Sequence, residues 1–213
     1  MQLGTKLGAN KFSYCLPSLN DQSTASSPMI FGEDAGFSGA QPIPLPPNPA
    51  SPSYWYLPIK GFTVAGAPVH LPNGTFAINP NGSGGMIIDT GANILLLFKV
   101  AYDAIVSAIK NATNVPPVDA MAETGSDLCY NGDDGDLKVA PLGFVFEGGA
   151  ELVLPLENYM VKAGVGLKYL CFAAAVTPET FSVMGNIAQQ NIHFLFDHDS
   201  FTFAFRHAHC DQL

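Results

Sequence analysis

The chain has 213 residues, of which 47% are hydrophobic and 13% charged, with a formal net charge of −9. A chain of this length can bury roughly 70% of its extended surface, and this composition is that of a folded globule rather than a disordered segment. Only nine residues are Lys or Arg, so a phosphate-binding surface is excluded and nucleic acid is not an expected partner. No apolar run reaches the roughly 18 residues of a membrane helix, so no membrane association is expected.

In chain order, the pattern predicts short strands separated by turns, with one helix. Strand-like runs lie at 11–15 and 29–31, separated by a polar surface loop at 18–28. Residues 41–53 contain six prolines, which forbid a central strand and favour an extended connector. A hairpin at 54–69 and a turn at 79–85 follow, with the hairpin turning at Ala65-Gly66.

The residue pattern in the second half of the chain predicts one helix and the remaining strands. Residues 100–112 place their apolar side chains on one face at helical spacing. An acidic turn is expected at 131–136. Further strands are expected at 143–146, 151–154, 170–176 and 181–185, followed by a hairpin at 193–205. This pattern is typical of an all-β fold with minor helix.

The cysteines and the sequons indicate a secretory environment. The four cysteines contain no CxxC pair, which favours two disulfides over zinc or redox chemistry and leaves three connectivities open. Their positions are Cys15, Cys129, Cys171 and Cys210. Candidate glycosylation sites are Asn73, Asn81 and Asn111. Residues 1–8 lack the layout of a signal peptide, so we expect the N-terminus to belong to a longer precursor or to an incomplete gene model.

One charged residue interrupts the apolar stretch at 86–97, which contains Asp89-Thr90-Gly91. A carboxylate among aliphatic residues is costly to bury without hydrogen bonds or a function. On one interpretation Asp89 only shapes a tight turn. On the other, the tripeptide is the active-site turn of an aspartic protease, in which Thr90 locks the turn and Gly91 leaves room for substrate.

Aspartic protease chemistry needs two neighbouring carboxylates that share one proton. The ionised carboxylate activates a water, and the protonated one polarises the peptide carbonyl. The sequence contains no second Asp-Thr-Gly or Asp-Ser-Gly. The other aspartates considered lie in polar loops or turns and are not expected partners: Asp133, Asp134, Asp136, Asp197 and Asp199.

The chain is similar to the C-terminal lobe of the plant nepenthesin-like aspartic proteases, which share this lobe architecture with xylanase-inhibitor proteins. The resemblance follows the chain through segments that occur in the order of the family: 11–17, 29–35, 54–66, 82–89, 154–160 and 185–193. It implies an all-β, pepsin-like acid-protease lobe with minor helix. It also implies two parts, with the end of the N-terminal lobe and a connecting segment at 1–53 and the C-terminal lobe at 54–213.

The resemblance further implies individual roles. Asp89 would be a catalytic carboxylate in a turn that passes beneath Val183-Met184-Gly185. Thr90 would support that turn, and backbone groups at Gly91, Ala92 and Asn93 would line the substrate cleft. The implied disulfides are Cys15 with Cys210 and Cys129 with Cys171.

Two departures from the family pattern leave alternatives open. The N-terminal lobe with its own aspartate has no counterpart here, and Ala92-Asn93 replaces a usual pair of hydroxyl residues. The expected function is aspartic endopeptidase cleavage of polypeptides, completed by an N-terminal lobe or a second chain. The alternatives are a non-catalytic pseudoprotease or inhibitor-like binding module, and a retropepsin-like homodimer in which each chain supplies Asp89.

No cofactor or metal is implied, because the nucleophile would be a water activated by the carboxylates. His207 and His209 lie on an extended tail and Cys210 is expected to be bonded, so this group is not predicted to bind metal. The acidic turn at 131–136 lacks the Glu that a calcium loop requires. Disulfides and sequons together predict an extracellular or vacuolar protein of the secretory pathway.

Overall fold

The computed structural model describes residues 10–18, 26, 29–39, 41–132, 135 and 137–213. Most of the predicted loop at 18–28 and the aspartates of the acidic turn, Asp133, Asp134 and Asp136, lie outside the described residues. Within them the chain is mostly β-strand with minor helix, and the predicted all-β class is confirmed.

The strands are short because turn residues interrupt the apolar runs every few positions. The first eight are β1 (Lys11–Cys15), β2 (Met29–Phe31), β3 (Ile43–Pro44), β4 (Tyr56–Leu57), β5 (Ile59–Val64), β6 (Ala67–Pro68), β7 (Met86–Ile88) and β8 (Leu95–Leu97). The others are β9 (Cys129–Asn131), β10 (Leu142–Phe146), β11 (Glu151–Val153), β12 (Met160–Ala163), β13 (Tyr169–Phe172), β14 (Ala174–Val176), β15 (Ser182–Met184), β16 (Ile192–Asp197) and β17 (Thr202–His207).

The long helix, α1 (Lys99–Ala112), has the amphipathic pattern that the sequence predicts. Its buried residues are Ala101, Tyr102, Ile105, Val106 and Ile109, which recur at helical spacing and pack into the main core. A second helix, α2 (Met121–Thr124), is a single turn that the sequence did not predict. Neither helix has the length and apolarity that crossing a membrane would need, within the part of the chain described.

The strands form four sheets within the described residues. Their strand orders are β2-β1-β16-β17-β3, β11-β10-β5-β6, β12-β13-β9 and β14-β8-β15-β7-β4. In the last of these, β15 lies between β7 and β8, parallel to β7 and antiparallel to β8. The connection between β7 and β8 is residues 89–94, so it has to cross the end of β15. Strand pairing therefore fixes the predicted Asp-Thr-Gly turn across the end of the segment Val183-Met184-Gly185.

The early part of the chain shares a sheet with the C-terminal hairpin. β1 pairs antiparallel with β16 along its whole length, from Lys11 opposite Asp197 to Cys15 opposite His193. The connector at 41–53 contributes the edge strand β3, which pairs with β17. An edge position suits this connector because proline cannot donate a ladder hydrogen bond.

The predicted single strand at 170–176 is instead two strands in different sheets. β13 pairs with β12 and β9, whereas β14 pairs parallel with β8. The change occurs at Ala173, whose N–H donates to the Tyr159 carbonyl and whose C=O accepts from the Leu95 N–H. The apolar run is continuous, but its backbone hydrogen bonds go to two different neighbours.

Candidate active site

The Asp-Thr-Gly turn begins where β7 ends. The Ile88 N–H donates to the Trp55 carbonyl at 3.1 Å, and the Asp89 N–H donates to the Met184 carbonyl at 3.1 Å. Beyond this point the carboxylate itself accepts the Gly91 N–H at Oδ1, 2.8 Å away. A Cβ on Gly91 would lie 3.2 Å from the same oxygen, so a side chain there would crowd the carboxylate.

Asn186 and its neighbours hold the rest of the turn through its backbone carbonyls. The Asn186 side-chain Nδ2 donates to the Thr90 carbonyl at 3.2 Å. The Asn186 N–H donates to the Ala92 carbonyl at 2.6 Å, and the Ile187 N–H donates to the Asn93 carbonyl at 3.0 Å. The turn is thus held by hydrogen bonds to the segment that directly follows β15.

Two features of the turn differ from what its sequence suggests. Asp89 is exposed although its flanking residues are aliphatic, because it lies beyond the last ladder pair of β7 and projects from the end of the sheet. Thr90 is also exposed, and its hydroxyl makes no hydrogen bond within the described part of the chain. The hydrogen bonds that hold the backbone carbonyls of the turn come from Asn186 and Ile187.

A largely apolar cavity of about 350 Å³ opens beside Asp89. Its walls include Phe12 and Tyr14 of β1, Trp55, and Phe196 of β16. Asp89 is the one carboxylate among its lining residues within the described ranges. Burial, with a smaller contribution from the negative charge of Asp89, raises the pKa of Tyr14. The Tyr14 phenol therefore stays protonated beside the aspartate.

The cysteines lie in the pairs that the resemblance implies. Cys15 is bonded to Cys210, and Cys129 is bonded to Cys171. The first disulfide ties β1 to the turn after β17, and Cys15 itself lines the cavity beside Asp89. The second joins directly opposed residues of β9 and β13.

The remaining predicted site residues are spread over the surface. The sequon asparagines Asn73, Asn81 and Asn111 are all exposed. His207 and His209 are exposed as well. No cluster of His, Cys, Asp and Glu side chains that could hold a metal is found among the described residues.

Sequence reasoning missed three residues around the turn: Tyr14, Asn186 and Gln189. The segments that contain them, 11–17 and 185–193, were identified as resembling the family, but no role was assigned to these side chains. A usable signal was present in the polar run after β15, because adjacent Gln189 and Gln190 follow an apolar strand. Both are buried, and a buried amide requires hydrogen-bond partners.

The strand arrangement and the turn define a pepsin-like lobe that carries one Asp-Thr-Gly turn. The chain belongs to the xylanase inhibitor C-terminal family, whose model matches residues 54–207. It is 36% identical over 188 residues to Protein ASPARTIC PROTEASE IN GUARD CELL 2 of Arabidopsis thaliana, covering 87% of this chain and 39% of that protein. It is 29% identical to aspartic proteinase nepenthesin-2 of Nepenthes gracilis, covering 99% of this chain and 48% of that protein. The resemblance to plant aspartic proteases is confirmed, and the chain spans less than half the length of these relatives.

Solved structures show the same fold at low identity. The crystal structure of EDGP matches with a TM-score of 0.79 at 18% identity, covering 99% of this chain and 57% of that one. Basic 7S globulin from soybean matches with a TM-score of 0.71 at 19% identity, covering 96% of this chain and 54% of that one. At these identities the matches establish the lobe architecture alone.

Proposed function

We propose that this chain supplies one catalytic carboxylate, Asp89, of an aspartic endopeptidase. The observation that supports it best is the turn itself, which holds an exposed carboxylate at the end of β7 with its backbone fixed on both sides. Named aspartic proteases among its relatives support the same chemistry. The second carboxylate would come from an N-terminal lobe or from a second chain.

In the completed site the two carboxylates would hold one proton between them, because two adjacent negative charges repel. The ionised carboxylate would accept a proton from water as the water attacks the peptide carbonyl carbon. The protonated carboxylate would donate a hydrogen bond to the carbonyl oxygen. This mechanism uses a water as the nucleophile and requires no cofactor. The substrate would be a polypeptide lying across the exposed turn and the adjacent cavity.

A second candidate is a non-catalytic binding module. The description of the matching family, xylanase inhibitor C-terminal, favours it, as does Ala92 in place of the usual hydroxyl residue. In this reading Asp89 would only shape the turn through its bond to the Gly91 N–H. The homodimeric arrangement is a third candidate, and the same experiment tests it.

The test measures acid proteolysis of denatured protein by the purified chain, alone and produced together with the reading frame upstream of Met1. The variants are Asp89→Asn and Asp103→Asn, the latter an exposed aspartate on α1 paired with Lys99. We expect activity to fall at least a thousandfold in Asp89→Asn and to remain in Asp103→Asn, as removal of a catalytic group requires. Proteolysis that survives Asp89→Asn would rule out the proposed role.

The molecular mass of the active species separates the remaining candidates. Activity confined to the longer product would support completion by an N-terminal lobe. An active dimer of the 213-residue chain would support the homodimer. A chain that is inactive in both forms while binding a protein partner would favour the binding module.

We also propose that the protein matures in the secretory pathway and functions in an extracellular or vacuolar compartment. The disulfides and the three exposed sequon asparagines support this assignment. Material recovered from plant tissue should lose mass on enzymatic deglycosylation. Protein of unmodified mass in the cytosol would contradict it.

A further inference from the structure

A buried amide lies directly behind the Asp-Thr-Gly turn. Gln189 has no exposed surface, and its Nε2 donates to the Met184 carbonyl at 2.8 Å. That same carbonyl accepts the Asp89 N–H at 3.1 Å. One oxygen therefore carries both the hydrogen bond that fixes the start of the turn and a bond from the side chain of Gln189.

Tyr14 fixes the other end of this amide. Its hydroxyl donates to Gln189 Oε1 at 2.6 Å. Tyr14 is partly buried and Gln189 is fully buried. A buried amide that loses one of its hydrogen-bond partners incurs most of its desolvation cost. Rotamers of Gln189 that break either of its two bonds are therefore disfavoured. Because burial raises the pKa of Tyr14, the phenol keeps its proton and remains a donor throughout the acidic and neutral range.

The contact joins three separate parts of the chain. Tyr14 comes from β1, Gln189 from the 3-10 turn Ile187–Gln189, and Asp89 from the end of β7. Two apolar side chains could fill the same volume, but they would not orient a carbonyl. A carbonyl oxygen has two lone pairs, so the Met184 oxygen can accept from the Asp89 N–H and from Gln189 Nε2 at the same time.

We propose that Tyr14 and Gln189 are positioning residues for Asp89, acting through the shared carbonyl of Met184. The bond from Tyr14 holds the Gln189 amide, the amide holds the carbonyl, and the carbonyl holds the Asp89 N–H, which sets the direction of the carboxylate. That these residues position a catalytic group depends on the proposed role of Asp89. The hydrogen-bond coupling from Tyr14 to the Asp89 N–H does not depend on it.

The experiment measures hydrogen exchange of individual amides by NMR in the 213-residue chain. The variants are Tyr14→Phe, Gln189→Met and the double variant. Each single change should speed exchange of the Asp89 N–H roughly fivefold to tenfold, as expected for the net loss of about one hydrogen bond. Because the residues act in series, the double variant should be no faster than the faster single variant.

Tyr159→Phe is the matched control. Tyr159 is also a buried phenol that donates to a backbone carbonyl, that of Ala140 at 3.0 Å, but Ala140 takes no part in the hydrogen bonds among Tyr14, Gln189 and Met184. This variant should leave exchange at Asp89 unchanged. Amides in β10 serve as an internal reference for global opening in all variants.

Three results would overturn the proposal: no change at Asp89, an equal change at Asp89 and in β10, or a double variant whose effect is the product of the singles. Equal acceleration of exchange at Asp89 and in β10 would mean a general loss of stability. A double variant whose acceleration is the product of the two single effects would mean that Tyr14 and Gln189 contribute independently. This test of the coupling does not depend on the proposed function, because hydrogen exchange can be measured in an inactive chain. A coupled Asp89 amide together with an active Asp89→Asn enzyme would uphold the coupling and refute catalysis by Asp89.

Discussion

Gly185 lies directly against the backbone of the Asp-Thr-Gly turn. A Cβ at this position would lie 2.2 Å from the Ile94 carbonyl oxygen and 2.9 Å from that of Ala92. Neither atom can move away cheaply, because both belong to the backbone that β8 and Asn186 hold in place. The glycine is required here by close approach of two backbone segments, not by its conformation.

We predict that Gly185→Ala lowers the free energy of unfolding by roughly 3 kcal/mol, the upper part of the range for overpacking. Urea denaturation followed by circular dichroism measures the change. Gly61→Ala is the control, since a Cβ on Gly61 in β5 meets nothing within 4 Å. That variant should be as stable as the parent or slightly more so. Equal destabilisation by both changes would contradict the packing argument.

His193 makes stability depend on pH. It is only 4% exposed, its Nδ1 lies 3.4 Å from the Arg206 guanidinium, and its ring packs 4.6 Å from that of Phe37. Burial and the positive charge of Arg206 lower the pKa of His193 in the folded chain. The unfolded chain, with a histidine pKa of about 6.5, therefore binds more protons as the pH falls. This contribution to stability is complete above about pH 6.5 and is lost towards the lower pKa of the folded state.

We predict that His193→Gln reduces the fall in melting temperature between pH 7.5 and pH 5. His198→Gln provides the comparison, because His198 is an exposed histidine of the same hairpin, and it should leave the pH profile unchanged. Differential scanning calorimetry over this range gives the profiles. Parallel profiles for the parent and His193→Gln would show that His193 does not carry this pH dependence.

At the scale of the elements, the two disulfides close loops of very different length. Cys15 and Cys210 are 195 residues apart and join β1 to the end of the C-terminal hairpin. Cys129 and Cys171 are 42 residues apart and join neighbouring strands. All four sulfurs belong to residues that are at most 2% exposed, so replacing either pair by alanine removes a similar amount of buried side chain.

The chain-entropy relation gives about 5 kcal/mol for the longer loop and about 4 kcal/mol for the shorter one. We predict that the variant Cys15→Ala/Cys210→Ala loses more stability than Cys129→Ala/Cys171→Ala. Denaturant midpoints at constant pH measure both. A larger loss from the shorter loop would show that local packing outweighs loop length.

At the scale of the whole molecule, the face around Asp89 is apolar. Met29, on the edge strand β2, is 51% exposed, and Phe12, Tyr14 and Trp55 are only partly buried. Contiguous apolar surface and an open strand edge mark a surface that associates with another. On the proposed function, a lobe or chain that supplied the second carboxylate would cover this face, because these side chains line the cavity beside Asp89.

We predict that Met29→Lys weakens association of the 213-residue chain with a separately produced completing lobe or second chain by at least tenfold without changing the fold. Sedimentation measures association, and Trp55, the single tryptophan of the sequence, reports burial of the face through a blue shift in emission. Val165→Lys is the control, since Val165 is 82% exposed on the β12–β13 connection. Association weakened equally by both variants would place the interface elsewhere.

Local sequence patterns determined most of the elements and the position of the turn. The helical spacing in 100–112 predicts α1 because a buried face repeats within a few residues. Asp89-Thr90-Gly91 marks the turn because it interrupts an apolar run, and the order of segments along the chain identifies the family. These properties depend only on the order of residues along the chain, so they can be identified before the tertiary structure is known.

Only the tertiary structure decided which groups meet at the turn. Asn186 lies 96 residues from Thr90, and Tyr14 lies 175 residues from Gln189, so no local pattern specifies either contact. The exposure of Asp89 and the change of sheet at Ala173 likewise depend on where strands end and which neighbours they pair with. Hydrogen bonds between distant segments form only after the sheets have assembled, and they fix the one carboxylate that the sequence had already singled out.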